Sequence, residues 1–229
     1  MAMFQDFIEL FFPVVCECCG NLLYRNERTL CTRCRMRLPR THFYLDDQNP
    51  VAATFWGRVD FQYATSFLYF SRAGRVQHMM HRFKYKGRRE IGSLLGELFA
   101  RELRRSENFQ NIDAVVPVPL HWSKQKKRGY NQSEVIACAM APLLKSQLET
   151  EVLYRNTATE TQTKKSRLMR AENVKGKFSI QYPEKIRGKH LLLIDDIITT
   201  GATIEACAQM LLTVDQVKVS IASLAYAGK

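Results

Sequence analysis

Residues 191–203, LLLIDDIITTGAT, constrain this 229-residue chain more than any other stretch. Residues 191–194 are all apolar and read as a strand buried on both faces, the kind that lies inside a parallel sheet. Two adjacent carboxylates follow, Asp195 and Asp196, then the small turn Thr199, Thr200, Gly201, Ala202 and Thr203, then a helical pattern over 204–212. In open α/β sheets, ligands bind beyond the carboxyl ends of such strands. Gly201 permits a tight turn and a close backbone approach to a ligand. Free N–H groups of the turn and of the helix start attract an anion, helped by the helix dipole. The threonine hydroxyls add donors, while the carboxylates accept hydrogen bonds from neighbouring hydroxyls. An ordinary strand-to-helix connection accounts for a lone TTG, but not for two acids set directly after an apolar strand. The combination suits a sugar phosphate. A Walker-type phosphate loop is absent from the sequence.

A second unit of the same kind lies upstream. Residues 114–119, AVVPVP, predict another buried strand that its prolines terminate. The basic, polar segment LHWSKQKKRGYNQSE follows as a loop, and a helix is expected from about Ser133 to Lys145. Residues 61–70 predict a strand, 73–85 and 91–105 helices, and 152–154 a short strand. Residues 35–57, with Pro39 and Pro50, read as a linker. Residues 156–175 are rich in Thr, Lys and Arg and hold no apolar run; a loop this long in a compact domain is often an active-site lid. The fold class expected is α/β, a parallel sheet flanked by helices. Residues 1–50 form an N-terminal helix, metal module and linker, and 51–229 the main domain.

Five of the seven cysteines fall within residues 16–34. Two CxxC turns, Cys16/Cys19 and Cys31/Cys34, can set four thiolates tetrahedrally round a structural Zn²⁺. A full thiolate set leaves no open coordination position, so metal catalysis is not expected there. Cys18 either replaces a neighbour as ligand or is a fifth, free thiol. Disulfides and a redox CxxC are the rival readings. The N-terminus lacks a basic secretory start, so a reducing, cytoplasmic setting is expected, where disulfides are rare. Residues 4–12 read as a short helix packed on the protein. No stretch approaches the length of a membrane span. The net charge of +12 favours a polyanionic partner, nucleic acid or polyphosphate, without choosing between them.

The acidic TTGAT segment resembles the ribose-phosphate loop of type I phosphoribosyltransferases. That resemblance implies that Asp195 and Asp196 contact the ribose hydroxyls of phosphoribosyl pyrophosphate, and that Thr199, Thr200, Gly201, Ala202 and Thr203 hold its 5′-phosphate. It implies a pyrophosphate site at Pro117, Val118, Pro119 and Leu120, with Arg128 closing over it. It also implies a lid carrying Lys164, Lys165, Arg167 and Arg170 toward the leaving pyrophosphate, with Mg²⁺ held mainly by substrate oxygens and water. A hood from residues 61–85 would read the acceptor base, with Tyr69, Phe70 and Phe83 as stacking candidates. The cysteine knuckle, YKGRRE, VVPVPLHW, KRGYNQ, TQTKKSRLMRAENVKGKF and LLLIDDIITTGAT, taken in order, resemble the ComF family of phosphoribosyltransferase-like proteins associated with competence for DNA uptake. Arg128, Asn131 and Gln132 match one of its signatures; Gln162, Arg170 and Asn173 match another. The resemblance implies phosphoribosyl transfer to a nitrogen acceptor. Its alternatives are a single-stranded-DNA-binding protein acting in DNA uptake, using Arg82, Lys84, Tyr85, Lys86, Arg88 and Arg89, with single-stranded DNA or other competence proteins as partners, or a non-catalytic sensor of phosphoribosyl pyrophosphate or nucleotide.

Overall fold

The structure, a computed structural model, describes residues 13–156 and 177–228. Its centre is an all-parallel sheet of five strands in the order β1-β7-β6-β2-β3. The strands are β1 (Ala64–Tyr69), β2 (Ala114–Pro117), β3 (Gln147–Leu148), β6 (His190–Ile198) and β7 (Lys218–Tyr226). Two short strands, β4 (Leu153–Arg155) and β5 (Phe178–Ile180), pair antiparallel in a separate ribbon. The strand expected at 152–154 therefore exists but lies outside the main sheet.

Helices cover both faces, which is why β2 and β6 read as continuous apolar runs rather than alternating ones. Successive side chains point to opposite faces. Val115, Leu192 and Ile194 pack with α3 (Arg75–Tyr85), α4 (Arg89–Leu103) and α6 (Gln132–Leu144). Ala114, Val116, Leu191 and Leu193 pack with α2 (Pro50–Phe55) and α7 (Ala202–Leu211). Gly92 belongs to the first layer for a steric reason: a Cβ there would sit 2.3 Å from the Phe83 ring. Phe83 is thus a core residue and not a stacking platform.

The 35–57 stretch is not a plain linker. It contains the end of α1 (Thr32–Met36), a 3₁₀ turn at Phe43–Leu45, and α2. Asn49 caps α2, its Oδ1 accepting from the N–H groups of Val51 (2.9 Å) and Ala52 (3.1 Å). Its Nδ2 donates to the carbonyls of Phe43, Asp46 and Ala64, which ties the turn, the helix and β1 together. Val51, Ala52 and Phe55 are fully buried. The basic loop after β2 likewise contains a helix, α5 (Trp122–Arg128), capped by His121 and ended by Gly129 at φ +78°. Among the described residues, no helix is long and apolar enough to cross a membrane. The helix expected at 4–12 and the loop expected at 156–175, Asn156 apart, lie outside the described residues.

Candidate functional site

Strand β2 pairs with β6 only as far as Pro117 opposite Ile194, and the Val118 N–H to Ile194 carbonyl bond of 2.9 Å closes the ladder. Beyond it, β6 runs on to Ile198 against β7 alone. Asp195 and Asp196 are therefore strand residues, placed where β6 has lost its β2 neighbour. This corrects the expectation that the strand stops at Ile194. From β2 the chain passes through α6 to β3 on one side; from β6 it passes through α7 to β7 on the other. The gap is a topological switch point, where open α/β sheets lodge their ligands.

A cleft of about 150 Å³ opens there. Val118, Pro119, Leu120 and Arg128 line one side, Asp195, Asp196 and Thr203 the other, and Lys84, Lys124 and Arg155 add positive charge. Pro117 does not line it, being held in the sheet opposite Ile194. A second hollow of about 50 Å³ is formed by Asp195 and residues 197–204, including Thr199, Thr200, Gly201 and Ala202. The two share Asp195 and Thr203. Lys164, Lys165, Gln162, Arg167, Arg170 and Asn173 lie outside the described residues.

Asp196 is buried and gripped by Lys84, whose Nζ is 2.9 Å from each carboxylate oxygen. Asp195 accepts from the Ser133 hydroxyl (2.9 Å) and from the Asp196 N–H (2.8 Å) on the same oxygen. Burial, with the Asp196 charge next to it, nevertheless pushes the Asp195 carboxyl up to about 7. Its ordinary value is 3.8, so between 3.8 and about 7 the folded chain binds more protons than the unfolded one. Stability is therefore expected to fall as pH rises through that window and to level off above it. Asp195→Asn should flatten this fall, read as denaturation midpoints of the ligand-free protein across the same range; a fall of undiminished slope in the variant would assign it to other groups.

The turn is built on α2. Gly201 has φ +75°, and a Cβ there would lie 2.7 Å from Phe55 Cε1. Arg58, just beyond α2, donates to the Thr200 carbonyl (3.3 Å) and pairs with Glu205 on α7. The N-cap of α7 is Gly201, which has no side chain to offer, and the first residues of the helix line the small hollow. Gly201→Ala combines left-handed backbone strain with overpacking and should cost roughly 2–4 kcal/mol in chemical denaturation. Trimming Phe55 to Leu in the same chain should recover part of that loss; strictly additive effects would show that the contact is unimportant.

Arg128 donates to Gln132 Oε1 (2.7 Å) and stacks over Tyr85 at 5.1 Å, at the cleft wall. Asn131 caps α6 through the Ser133 N–H and donates to the Val118 carbonyl (3.0 Å), fixing the loop that follows β2. The residue signature RGYNQ thus serves the cleft. Lys84, Ser133, Arg155, Phe55 and Arg58 are site residues that sequence reasoning did not assign to the cradle. Only the basic clustering flagged Lys84, and it pointed to nucleic acid.

The four-cysteine group forms a separate centre. The Sγ atoms of Cys16, Cys19, Cys31 and Cys34 all lie within 4.8 Å of one another. Zn–S bonds of about 2.3 Å in a tetrahedron require sulfurs about 3.8 Å apart; Cys19 and Cys31 Sγ are 3.8 Å apart. Backbone N–H groups point at the sulfurs, Cys31 N to Cys16 Sγ at 3.3 Å and Cys34 N to Cys31 Sγ at 3.4 Å. Burial raises the Cys16 thiol, but N–H groups of Cys31, Cys18 and Cys19 outweigh it and bring it to about 7. The donor set can hold a metal ion. Cys18 is buried outside the group.

Comparison with known proteins matches residues 122–229 to the phosphoribosyl transferase domain. The DNA utilization protein YhgH of Escherichia coli K12 is 31% identical over 201 residues, 86% of this chain and 84% of that protein. Competence protein F of Haemophilus influenzae is 29% identical over 147 residues, 62% of this chain and 64% of that protein. Competence protein ComFC of Bacillus subtilis is 26% identical over 138 residues, 60% and 53% respectively. This chain belongs to the ComF family. Its sheet is that of the type I phosphoribosyltransferases. In this ComF-family chain the domain match begins at α5. Strands β1 and β2 and the cysteine centre lie before it, as do Lys84 of α3 and the Val118–Leu120 segment after β2, which line the cleft.

Proposed function

We propose that this protein binds phosphoribosyl pyrophosphate in the cleft and transfers its phosphoribosyl group to a nitrogen acceptor. The observation that carries the reading is the pair of hollows joined at Asp195 and Thr203 on the sheet's switch point. The 5′-phosphate occupies the Thr199–Thr203 turn, and the ribose hydroxyls meet Asp195 and Asp196. The pyrophosphate lies along Val118, Pro119 and Leu120, facing Lys84, Lys124, Arg128 and Arg155. The acceptor nitrogen forms a bond to C1 as the C1–O bond breaks; pyrophosphate leaves with the electron pair and the acceptor's proton passes to solvent. Mg²⁺ suits this donor set through water or a carboxylate oxygen, and supplies charge neutralisation to the polyphosphate. Lys164, Lys165, Arg167 and Arg170 are proposed to cover the leaving group and exclude water.

The test is calorimetric titration with Mg²⁺-phosphoribosyl pyrophosphate, followed by a pyrophosphate-release assay against a panel of bases and amines. Saturable binding with release for one acceptor is the expected result. Binding without turnover across the panel would favour a sensor, and no binding would sink the reading. The names of the relatives favour a second reading, a role in DNA utilization or competence, with single-stranded DNA as the partner. That reading predicts binding that weakens steeply with salt. A titration at two salt concentrations that finds none at low salt would remove it.

A further inference from the structure

The basic junction between α3 and α4 carries an internal clasp. Glu17, between two cysteines of the metal centre, is buried, with its side chain 7% exposed. Its carboxylate meets Arg82 Nε at 2.6 Å and Arg88 Nε at 3.4 Å. Between these two arginines sits Lys84, whose ammonium reaches into the cleft and grips Asp196. Tyr85 receives the Arg128 stack, and Arg89 lies 4.6 Å from the Tyr130 ring while donating to the Gly129 carbonyl at 3.0 Å. Lys86 is the one basic residue of this junction, 82–89, with no such partner among the described residues. Apart from Lys86, these cations join the loop of the metal centre, the acidic pair and the RGYNQ loop.

We propose that Glu17 is a positioning residue: through Arg82 and Arg88 it couples the four-thiolate metal centre to the placement of Lys84 on Asp196. The coupling rests on the cleft being the functional site proposed above, but its geometry exists without substrate. Glu17 lies between metal-binding cysteines, so a metal ion that orders their loop also restricts where its carboxylate can sit. The loop in turn fixes the last turn of α3, whose far face presents Lys84. Two guanidiniums on one buried carboxylate make the latch sensitive to its loss, because removing Glu17 leaves like charges together at the junction.

The experiment reads Lys84 in the ligand-free, metal-loaded full chain by trace acetylation of amines and peptide mass spectrometry, with Lys189 as the internal reference. Glu17→Gln, shown by metal analysis to retain its metal, should label at Lys84 about five-fold faster than wild type. Glu17→Asp should restore part of the protection. Chelation should raise Lys84 labelling by a clearly larger factor in wild type than in Glu17→Gln, where the ion-pair route is already lost. Unchanged labelling in metal-loaded Glu17→Gln, or an equal rise on chelating both proteins, overturns the coupling. If Glu17→Gln does not fold, the Arg82→Gln/Arg88→Gln variant carries the same expectations. Failure of the phosphoribosyl pyrophosphate titration leaves the labelling pattern intact, so the two readings fall separately.

Discussion

Asp196→Ala should abolish pyrophosphate release and lower the affinity for Mg²⁺-phosphoribosyl pyrophosphate by about a hundred-fold or more. The residue is buried, so the ligand atoms it receives gain more from it than they would from an exposed carboxylate. The folded state should not suffer in proportion. Asp196 adds to the upward push on Asp195, second only to burial, and its removal relieves that repulsion. Against this gain stands Lys84, left without its 2.9 Å carboxylate partner. The two opposed effects predict a small change in unfolding free energy beside a large loss of function, the signature of a pair kept for chemistry. Calorimetry and denaturation of one preparation decide the matter. Large destabilisation with affinity largely retained would make Asp196 a structural residue.

The cradle was legible because its signals are local. An apolar run, two acids, a glycine turn and a helical pattern fall within about twenty residues, and each obeys a rule of short range. The end of the strand was not legible, because it is set by a neighbour. Prolines stop β2 after Pro117, while β7 continues to hydrogen-bond β6 out to Ile198. Lys84 meets Asp196 across 112 residues of sequence, so only the packed layer of α3 against the sheet reveals the pair. The same holds for Phe55 beneath Gly201. Helix α2 did carry a local signal that the linker reading passed over: Asn49 followed by Pro50 is an N-cap with proline at the first helical position. Gly129 likewise marks the end of α5 inside a segment whose charge suggested only a loop.

Cys34→Ala is the second large expected effect. It should abolish stoichiometric metal binding and lower the unfolding free energy by at least ~4 kcal/mol, the range in which loss of a structural metal falls. Cys34 is buried, and burial pushes its thiol far above the ordinary range. A metal ion must displace that proton, so affinity should rise with pH and binding should release protons. Cys16, Cys31, Cys34 and Leu38 lie in the same apolar cluster as Met79, Met80 and Phe83 of α3 and Phe99 of α4. Glu17 adds its ion pairs to α3 from the same loop. Loss of the metal therefore reaches the layer that covers one face of the sheet, and unfolding should remain a single transition at a lower midpoint. Circular dichroism during denaturation, with and without chelator, tests this. Two transitions, the later one unmoved by chelation, would mean that the cysteine loop folds apart from the sheet and contributes nothing to it.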